Sequence, residues 1–256
     1  MFKIATWNVN SLRVRLPHVL DWLDAERPDV LALQETKLQD RDFPLDAFRQ
    51  RFYHALHAGQ KTYNGVAILS RLPISLIADS FPGFDDPQRR VLHAQAGAIQ
   101  VLNIYVPNGS EVGSERFEYK LRWLGHLRRY TAGLIAAGAG FAVVGDFNIA
   151  PAPEDVHDPA TWEGRVLFSM PEREAFSGLL QQGLVDCFRI FPQAPGGYTW
   201  WDYRAAAFRR NLGLRIDHIL ASPALADRCR SCRIDTGPRG LERPSDHAPV
   251  MAEFET

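Results

Sequence analysis

The chain has 256 residues, 46% apolar and 23% charged, which is ordinary for a globular protein and enough to close a core without disulfides or a structural metal. A net charge of −1 excludes a protein that coats nucleic acid through bulk positive charge. The first residues, Met1-Phe2-Lys3-Ile4-Ala5-Thr6-Trp7-Asn8, enter directly into an alternating pattern, and no apolar run is long enough to span a bilayer, so a cytoplasmic protein with no membrane partner is expected.

No repeat or Gly/Ser/Pro-rich linker divides the sequence, so a single domain over 1–256 is expected. Phe2, Ile4 and Thr6 alternate with Lys3, Ala5 and Trp7, predicting a strand that ends at Asn8. Leu16, Val19, Leu20 and Leu23 then follow helical spacing, and Pro28 closes that segment. The apolar run 30–33 predicts a buried strand that delivers Glu35 at its end; residues 65–70 and 99–105 predict two more. From about 114 to 137 the period is helical, stopped by Gly138 and Gly140. Another buried strand, 141–144, runs into Gly145-Asp146-Phe147-Asn148. A helix beginning near Pro171-Glu172 precedes strands at 198–201, 214–221 and 248–254. Strands interleaved with helices define an α/β layered fold, and the hairpin-like spacing of the last third makes its sheets mixed.

The polar residues fall in a pattern on this outline. Asn8, Glu35, Asp146, Asn148, Asp246 and His247 lie at or beside predicted strand ends, and Asp217 is placed within a strand. Functional groups of layered α/β proteins gather on such loops. Two carboxylates about 4 Å apart repel by roughly 4 kcal/mol at an effective dielectric of 20. A converging set of Glu35, Asp146, Asp217 and Asp246 must therefore hold protons, pair with cations or bind a metal. Oxygen donors suit Mg²⁺, with Mn²⁺ as the substitute, and no His/Cys set favours zinc. Phosphate is the natural substrate for a site of that kind. Taken singly, Asp146 and Asn148 also read as turn formers, and Asn8 and Glu35 as solvated strand ends.

Of the 29 cations, 25 are Arg, and Arg204, Arg209, Arg210 and Arg215 follow one another without an intervening acid. A planar guanidinium grips phosphate with two parallel hydrogen bonds. Cys229 and Cys232 form a lone C-x-x-C with no partner ligands for zinc, and their role stays open.

The segments TWNVNSLR, LQETK, KTYNGVAILS, DPQRRV, NIYVPNG, VVGDFNIAP, YTWWDYR, GLRIDHILAS and ERPSDHAP resemble the exonuclease III type of DNA repair nuclease in the endonuclease/exonuclease/phosphatase superfamily. The resemblance runs from residue 3 to about 254. It implies a DNase I-like, four-layer α/β/β/α sandwich and a Mg²⁺-dependent monomer acting on double-stranded DNA at abasic sites or 3′ ends. By the same resemblance Glu35 would be the chief metal ligand, helped by Asn8 and Asp246. Asp146 would orient and deprotonate the attacking water, and Asn148 would hydrogen-bond the phosphoryl oxygens. His247, oriented by Asp217, would bind the scissile phosphate, with Tyr105 near the leaving oxygen. Arg90 and Lys120 match positions near DNA. Trp200 and Trp201 would wall an unstacked sugar, and Arg204, Arg209 and Arg210 would grip phosphates.

The sequence departs from that pattern in two places. The connection from Ala150 to Met170 is compressed, and Val166-Leu167-Phe168 stands where many relatives carry a small Gly or Ser near the damage pocket. Bulk there leads to the expectation that activity at 3′ ends is at least as strong as incision at abasic sites. The competing readings are the same metal chemistry on a non-DNA phosphoester, and a binding protein that has lost catalysis.

Overall fold

The computed structural model describes residues 1–256. In chain order the elements are β1 (Phe2–Asn8), α1 (Leu12–Glu26), β2 (Val30–Gln34), α2 (Leu45–Arg49), β3 (His54–Ala58), β4 (Val66–Ser70), β5 (Ile74–Ala78), β6 (Val91–Ala96) and β7 (Ile99–Tyr105). They continue with α3 (Glu115–Ala136), β8 (Phe141–Asp146), α4 (Pro159–Trp162), α5 (Met170–Leu180), β9 (Val185–Asp186), β10 (Asp217–Ala221), α6 (Pro223–Ala226), β11 (Cys229–Ile234) and β12 (Val250–Phe254). They form two six-stranded sheets, ordered β11-β12-β1-β2-β4-β3 and β5-β6-β7-β8-β10-β9. Each is mixed: β1 and β2 run parallel, as do β7 and β8, and every other pair is antiparallel.

The period-2 alternation of each strand creates the layers. Ile4, Val30, Ala32 and Ile68 of the first sheet meet Val101, Ala142, Val144 and Ile219 of the second in one apolar core. The alternate residues Ala5, Trp7, Leu31 and Leu33 face outward onto Val19, Trp22 and Leu23 of α1. On the far side Leu102, Ile104, Val143 and Leu220 pack under Trp123 and Leu127 of α3 and Phe176 and Leu179 of α5. The result is the four-layer α/β/β/α sandwich. A buried amide bridge ties the sheets near their working end: Gln34 donates to Thr6 Oγ1 (2.8 Å) and Asn103 Oδ1 (2.8 Å), and Asn103 donates to the carbonyls of Leu33 (3.0 Å) and Ala67 (2.8 Å). Amides buried here without partners would each cost about 1–3 kcal/mol, so the bridge enforces sheet register as well as contact.

Helix ends follow local chemistry. α1 stops at Glu26 because Arg27 turns left-handed (φ 49°) and bonds back to Leu23; Pro28 then prevents continuation. Ser114 caps α3 by accepting from the amide of Phe117, 3.2 Å away, and Gly138 (φ 70°) follows its end.

Several sequence expectations are corrected. Residues 198–201 form no strand. Only Trp200 bridges Leu214 and His247, because Thr199 Oγ1 takes the amides of Ile216 and Asp217 (both 3.0 Å) and holds the segment beside the sheet. The strand expected at 214–221 begins only at Asp217, so Asp217 is a strand-end residue like the others. The last strand starts at Val250, after Pro249, which has no amide to donate. The spacing signals missed β3, β5, β6, the two-residue β9 and β11. β5 lies at a sheet edge with three of its five residues exposed, so it carries little apolar alternation. In β11 a register shift between Cys229 and Ser231 turns two cysteines three apart onto the same inner face, as a bulge does. Both pack with Cys187 in the inter-sheet core, and all three thiols are free.

Candidate active site

The topology gathers the scattered polar residues at one end of the sandwich. β1 and β2 are parallel with Asn8 opposite Gln34, so their C-terminal ends present Asn8 and Glu35 side by side. In the second sheet Tyr105 ends β7 opposite Asp146, which ends β8, and Asp146 is in register with Asp217 at the start of antiparallel β10. The loop before β12 brings in Asp246 and His247, with His247 bridged to Trp200. Backbone strain concentrates here: Asn10 (φ 43°), Glu35 (φ 50°), Lys37 (φ 53°) and Asn148 (φ 51°) all adopt left-handed conformations that bonds to their neighbours must enforce.

Asn8 Nδ2 donates to Glu35 Oε1 and to Asp146 Oδ2, each at 2.9 Å, and so joins the two sheets' acids. Asp146 Oδ1 accepts from the Asn148 amide (2.8 Å), and its Oδ2 from Asn148 Nδ2 (3.1 Å). His247 Nδ1 lies 2.8 Å from Asp217 Oδ2, and its Nε2 lies 3.9 Å from Asp146 Oδ2. Ligand atoms of Glu35, Asp146 and His247 all fall within 4.8 Å of one another, a spacing that suits a metal ion at the two carboxylates, while the His247 ring is engaged by Asp217. Asp246 is outside that group; its oxygens accept from Asn10 Nδ2 (2.9 Å) and Trp200 Nε1 (3.0 Å).

Burial and charge set the protonation. Burial pushes Asp146 up, the neighbouring His247 opposes it, and Asp217 adds to it, leaving Asp146 at about 7. His247 is lowered by burial, but the Asp217 carboxylate beside it prevails and raises the imidazole to about 10. Glu35 is raised by burial and held below its ordinary range by Lys37 and the Asn8 amide. Tyr105 is driven up by burial and by Glu35, so it stays a phenol. A carboxyl poised near neutrality, beside a fixed imidazolium and a phenol, can take and return a proton at working pH.

The residues expected at the DNA side divide. Arg90 is buried over the Tyr105 ring, 4.5 Å from its centroid, and donates to the Tyr105 carbonyl (3.1 Å). Beside it opens a polar cleft of about 560 Å³ lined by Gln60, Asn64, Gln88, Asn108 and Arg116 among others. Arg209 and Arg210 are exposed, whereas Arg204 is tied to Asp202 by two hydrogen bonds (3.0 and 2.8 Å). Trp200 is half-buried beside Leu167, Leu214 and Ile216. Trp201 does not line the site: it is 1% exposed and packs with Tyr198, Ala207 and Ala248, as large aromatics commonly do. Lys120 does not face DNA either, since its side chain is wholly buried against Glu172.

Two participants were missed. Lys37 Nζ sits 2.9 Å from Glu35 Oε2 and donates to Asn10 Oδ1 (2.5 Å), making Lys37 and Asn10 a strap from Glu35 to Asp246. Both lie inside the quoted motifs, two residues from Glu35 and Asn8. In an isolated sequence nothing separates such residues from ordinary turn formers.

The sequence matches the Endonuclease/Exonuclease/phosphatase family over residues 5–247, and the chain belongs to that family. It is 36% identical to the "Exodeoxyribonuclease III" of Haemophilus influenzae, across 98% of this chain and 99% of that one. Among solved structures it superposes on the 3′ phosphatase NExo from Neisseria bound to product DNA hairpin, with a TM-score of 0.98, 46% identity and 100% of both chains covered. An AP endonuclease from Archaeoglobus fulgidus gives a TM-score of 0.96 at 40% identity, again over the whole of both chains. Within the family the protein is therefore a hydrolytic enzyme of the exonuclease III type, the DNA repair branch.

Proposed function

We propose that this protein hydrolyses the sugar–phosphate backbone of damaged double-stranded DNA in the cytoplasm, with Mg²⁺ as its metal, and that it works chiefly on blocked or recessed 3′ ends. The observation that carries the hydrolytic part is the joining of Glu35 and Asp146 through Asn8, with Asp146 raised to about 7. Asp146 accepts the proton of the attacking water. Asn148 Nδ2 donates to the Val106 carbonyl (3.0 Å) and to Asp146 Oδ2 (3.1 Å); by releasing one of these bonds it would turn a proton to the phosphoryl oxygens as charge builds, where preorganised donors count most. His247, protonated and oriented by Asp217, holds the scissile phosphate, and Tyr105 supplies a phenol near the leaving oxygen.

The donor set fits a hard divalent ion. Glu35 offers oxygens, and Asn8 would offer its own by turning an amide whose Oδ1 now accepts from the Asn10 amide (3.0 Å). His247 is occupied by a proton and by Asp217, which disfavours zinc. Glu35 would be the chief ligand; Asp246 would contribute by releasing Asn10 or Trp200. When bound, such an ion neutralises charge on the phosphate oxygens; Mn²⁺ can serve the same donors. The exposed guanidinia of Arg209 and Arg210 suit backbone phosphates, and the likeness to a 3′ phosphatase bound to a DNA hairpin supports duplex DNA as partner.

The preference for 3′ ends rests on Leu167. It is 5% exposed and fills the apolar pocket with Ala150, Leu214, Ile216 and half-buried Trp200. It does so at φ 78°, a conformation that costs a side-chain-bearing residue about 1–2 kcal/mol and costs glycine nothing. Its backbone is pinned at both ends, its carbonyl by the Ala150 amide (2.8 Å) and its amide by Glu172 Oε1 (3.0 Å). An extruded abasic sugar needs the space that Leu167 occupies; a terminal 3′ group needs less. The test is one gel with abasic, 3′-phosphate and recessed-end duplexes, with and without EDTA, for wild type and Leu167→Gly. Wild type should process the two 3′ substrates at least as fast as the abasic one, and Leu167→Gly should raise abasic incision roughly tenfold, the rate equivalent of about 1.4 kcal/mol. Abasic duplex cut much faster by wild type would remove the preference.

A further inference from the structure

An ion pair lies beneath the reacting side of the site and meets it only through the backbone carbonyls of Asn108 and Asn148. Lys120 on α3 and Glu172 in the first turn of α5 are each wholly buried and face one another. All three ammonium protons are committed: to the Asn148 carbonyl (2.7 Å), the Asn108 carbonyl (3.1 Å) and Glu172 Oε1. Glu172 also accepts from the amides of Leu167 and Ser169 (3.0 Å each) and from Ser169 Oγ (2.5 Å). The pair therefore joins two helices to the loops that carry Asn108, Asn148 and Leu167.

A buried ion pair is a poor source of stability, because taking both charges out of water offsets most of their attraction, and an apolar pair of similar volume often serves a core as well. An apolar pair could not hold the carbonyls of two separate loops. Asn148 needs such a hold. Its backbone is left-handed at φ 51°. Its amide is fixed by Asp146 Oδ1, its side-chain oxygen by Asn108 Nδ2 (3.1 Å), its side-chain nitrogen by the Val106 carbonyl (3.0 Å) and Asp146 Oδ2 (3.1 Å), and its carbonyl by Lys120. With the carbonyl released, the left-handed backbone loses the hold on its C-terminal side and can relax, shifting the side chain whose Nδ2 is shared between Val106 and Asp146 away from the place where phosphoryl charge develops. We propose that Lys120, seated by Glu172, is a positioning residue that fixes Asn148, and through it the stabilisation of the transition state. The proposal rests on the reading of Asn148 as the donor to the phosphoryl oxygens.

The test compares Lys120→Met/Glu172→Gln, which leaves no unpaired buried ion, with wild type and with Asn148→Ala on a 3′-phosphate duplex at saturating Mg²⁺. The double variant should lose roughly ten- to hundredfold in kcat with KM within about twofold, since a small misplacement of a reacting group costs on that order. On the Asn148→Ala background the same double change should add less than about twofold, because a residue acting through Asn148 has nothing left to position. A crystal structure of the double variant should show the Asn148 peptide turned. Should that variant fail to fold, Lys120→Gln keeps a donor for Glu172 but cannot reach both carbonyls, and it enters the same cycle with an expected loss of about three- to tenfold. Losses that add fully to Asn148→Ala, a loss carried by KM, or an unmoved Asn148 overturn the proposal. Wild type inactive on every DNA substrate would instead overturn the functional reading, and the position of Asn148 in the variant crystal would still decide the role of Lys120.

Discussion

The two sheets bring opposite kinds of support to a shared site. On the first-sheet side, Glu35 and Asp246 are held by Lys37 and Asn10, a strap of partly exposed side chains reaching from Glu35 through Asn10 to Asp246. On the second-sheet side, Asp146 and Asn148 stand on buried groups: Lys120 with Glu172, and His218, whose Nε2 meets the Ile149 carbonyl at 2.9 Å while its Nδ1 faces Arg215. The difference separates two demands. On the mechanism proposed above, a side that would exchange a lysine for a metal ion needs partners it can release, whereas a side that would aim at a phosphoryl group needs partners that cannot move.

The largest effect expected on the rigid side is from Asp146→Asn, which keeps the shape and removes the proton acceptor. Turnover of a 3′-phosphate duplex should fall about 10²–10⁴-fold, with thermal stability retained. An active Asp146→Asn protein would break the assignment of chemistry to this side. Rigidity itself is tested by pH. Burial, with the charge of Arg215, holds His218 down to about 3 from an ordinary 6.5. Between those values the unfolded chain takes up a proton that the native state refuses, so this contribution to stability is complete above about pH 6.5 and is lost as pH falls toward 3. It amounts to a few kcal/mol. Urea unfolding at pH 7 and pH 5 should show wild type losing more stability than His218→Gln; equal losses would mean that His218 is no fixed neutral post.

On the exchangeable side the expected effects are smaller. Lys37→Met removes the cation competing for Glu35, so calorimetry without DNA should find Mg²⁺ bound about tenfold more tightly, equivalent to about 1.4 kcal/mol. Weaker binding would show that Lys37 organises the acids rather than competing with the ion. Smallest is Arg209→Ala with Arg210→Ala. Each arginine that contacts a phosphate should lower the slope of log affinity against log salt by about 0.9, measured by anisotropy on duplex DNA with EDTA. An unchanged slope would remove that surface from the DNA path.

Much of this protein was legible in its sequence. The alternation of Phe2 to Asn8, the apolar runs ending at Glu35 and Asp146, and the helical period after Ser114 are local patterns, set by side-chain direction along a strand or helix, and they appear as read. The sequence also singled out the acids, amides and histidine that meet at the site, because motifs such as GDFN and SDHAP carry chemistry in adjacent residues. What escaped it depends on long-range packing. Trp200 and Trp201 are neighbours of one type, yet one donates to Asp246 in the site and the other is core. Lys120 reads as a cation near DNA and Lys37 as nothing in particular, yet one is sealed beneath Asn148 and the other bonds Glu35. The residue type determined that a charge had to be satisfied. Only the tertiary structure decided by what, since the partner of a buried ion is chosen by whichever distant segment the fold lays against it.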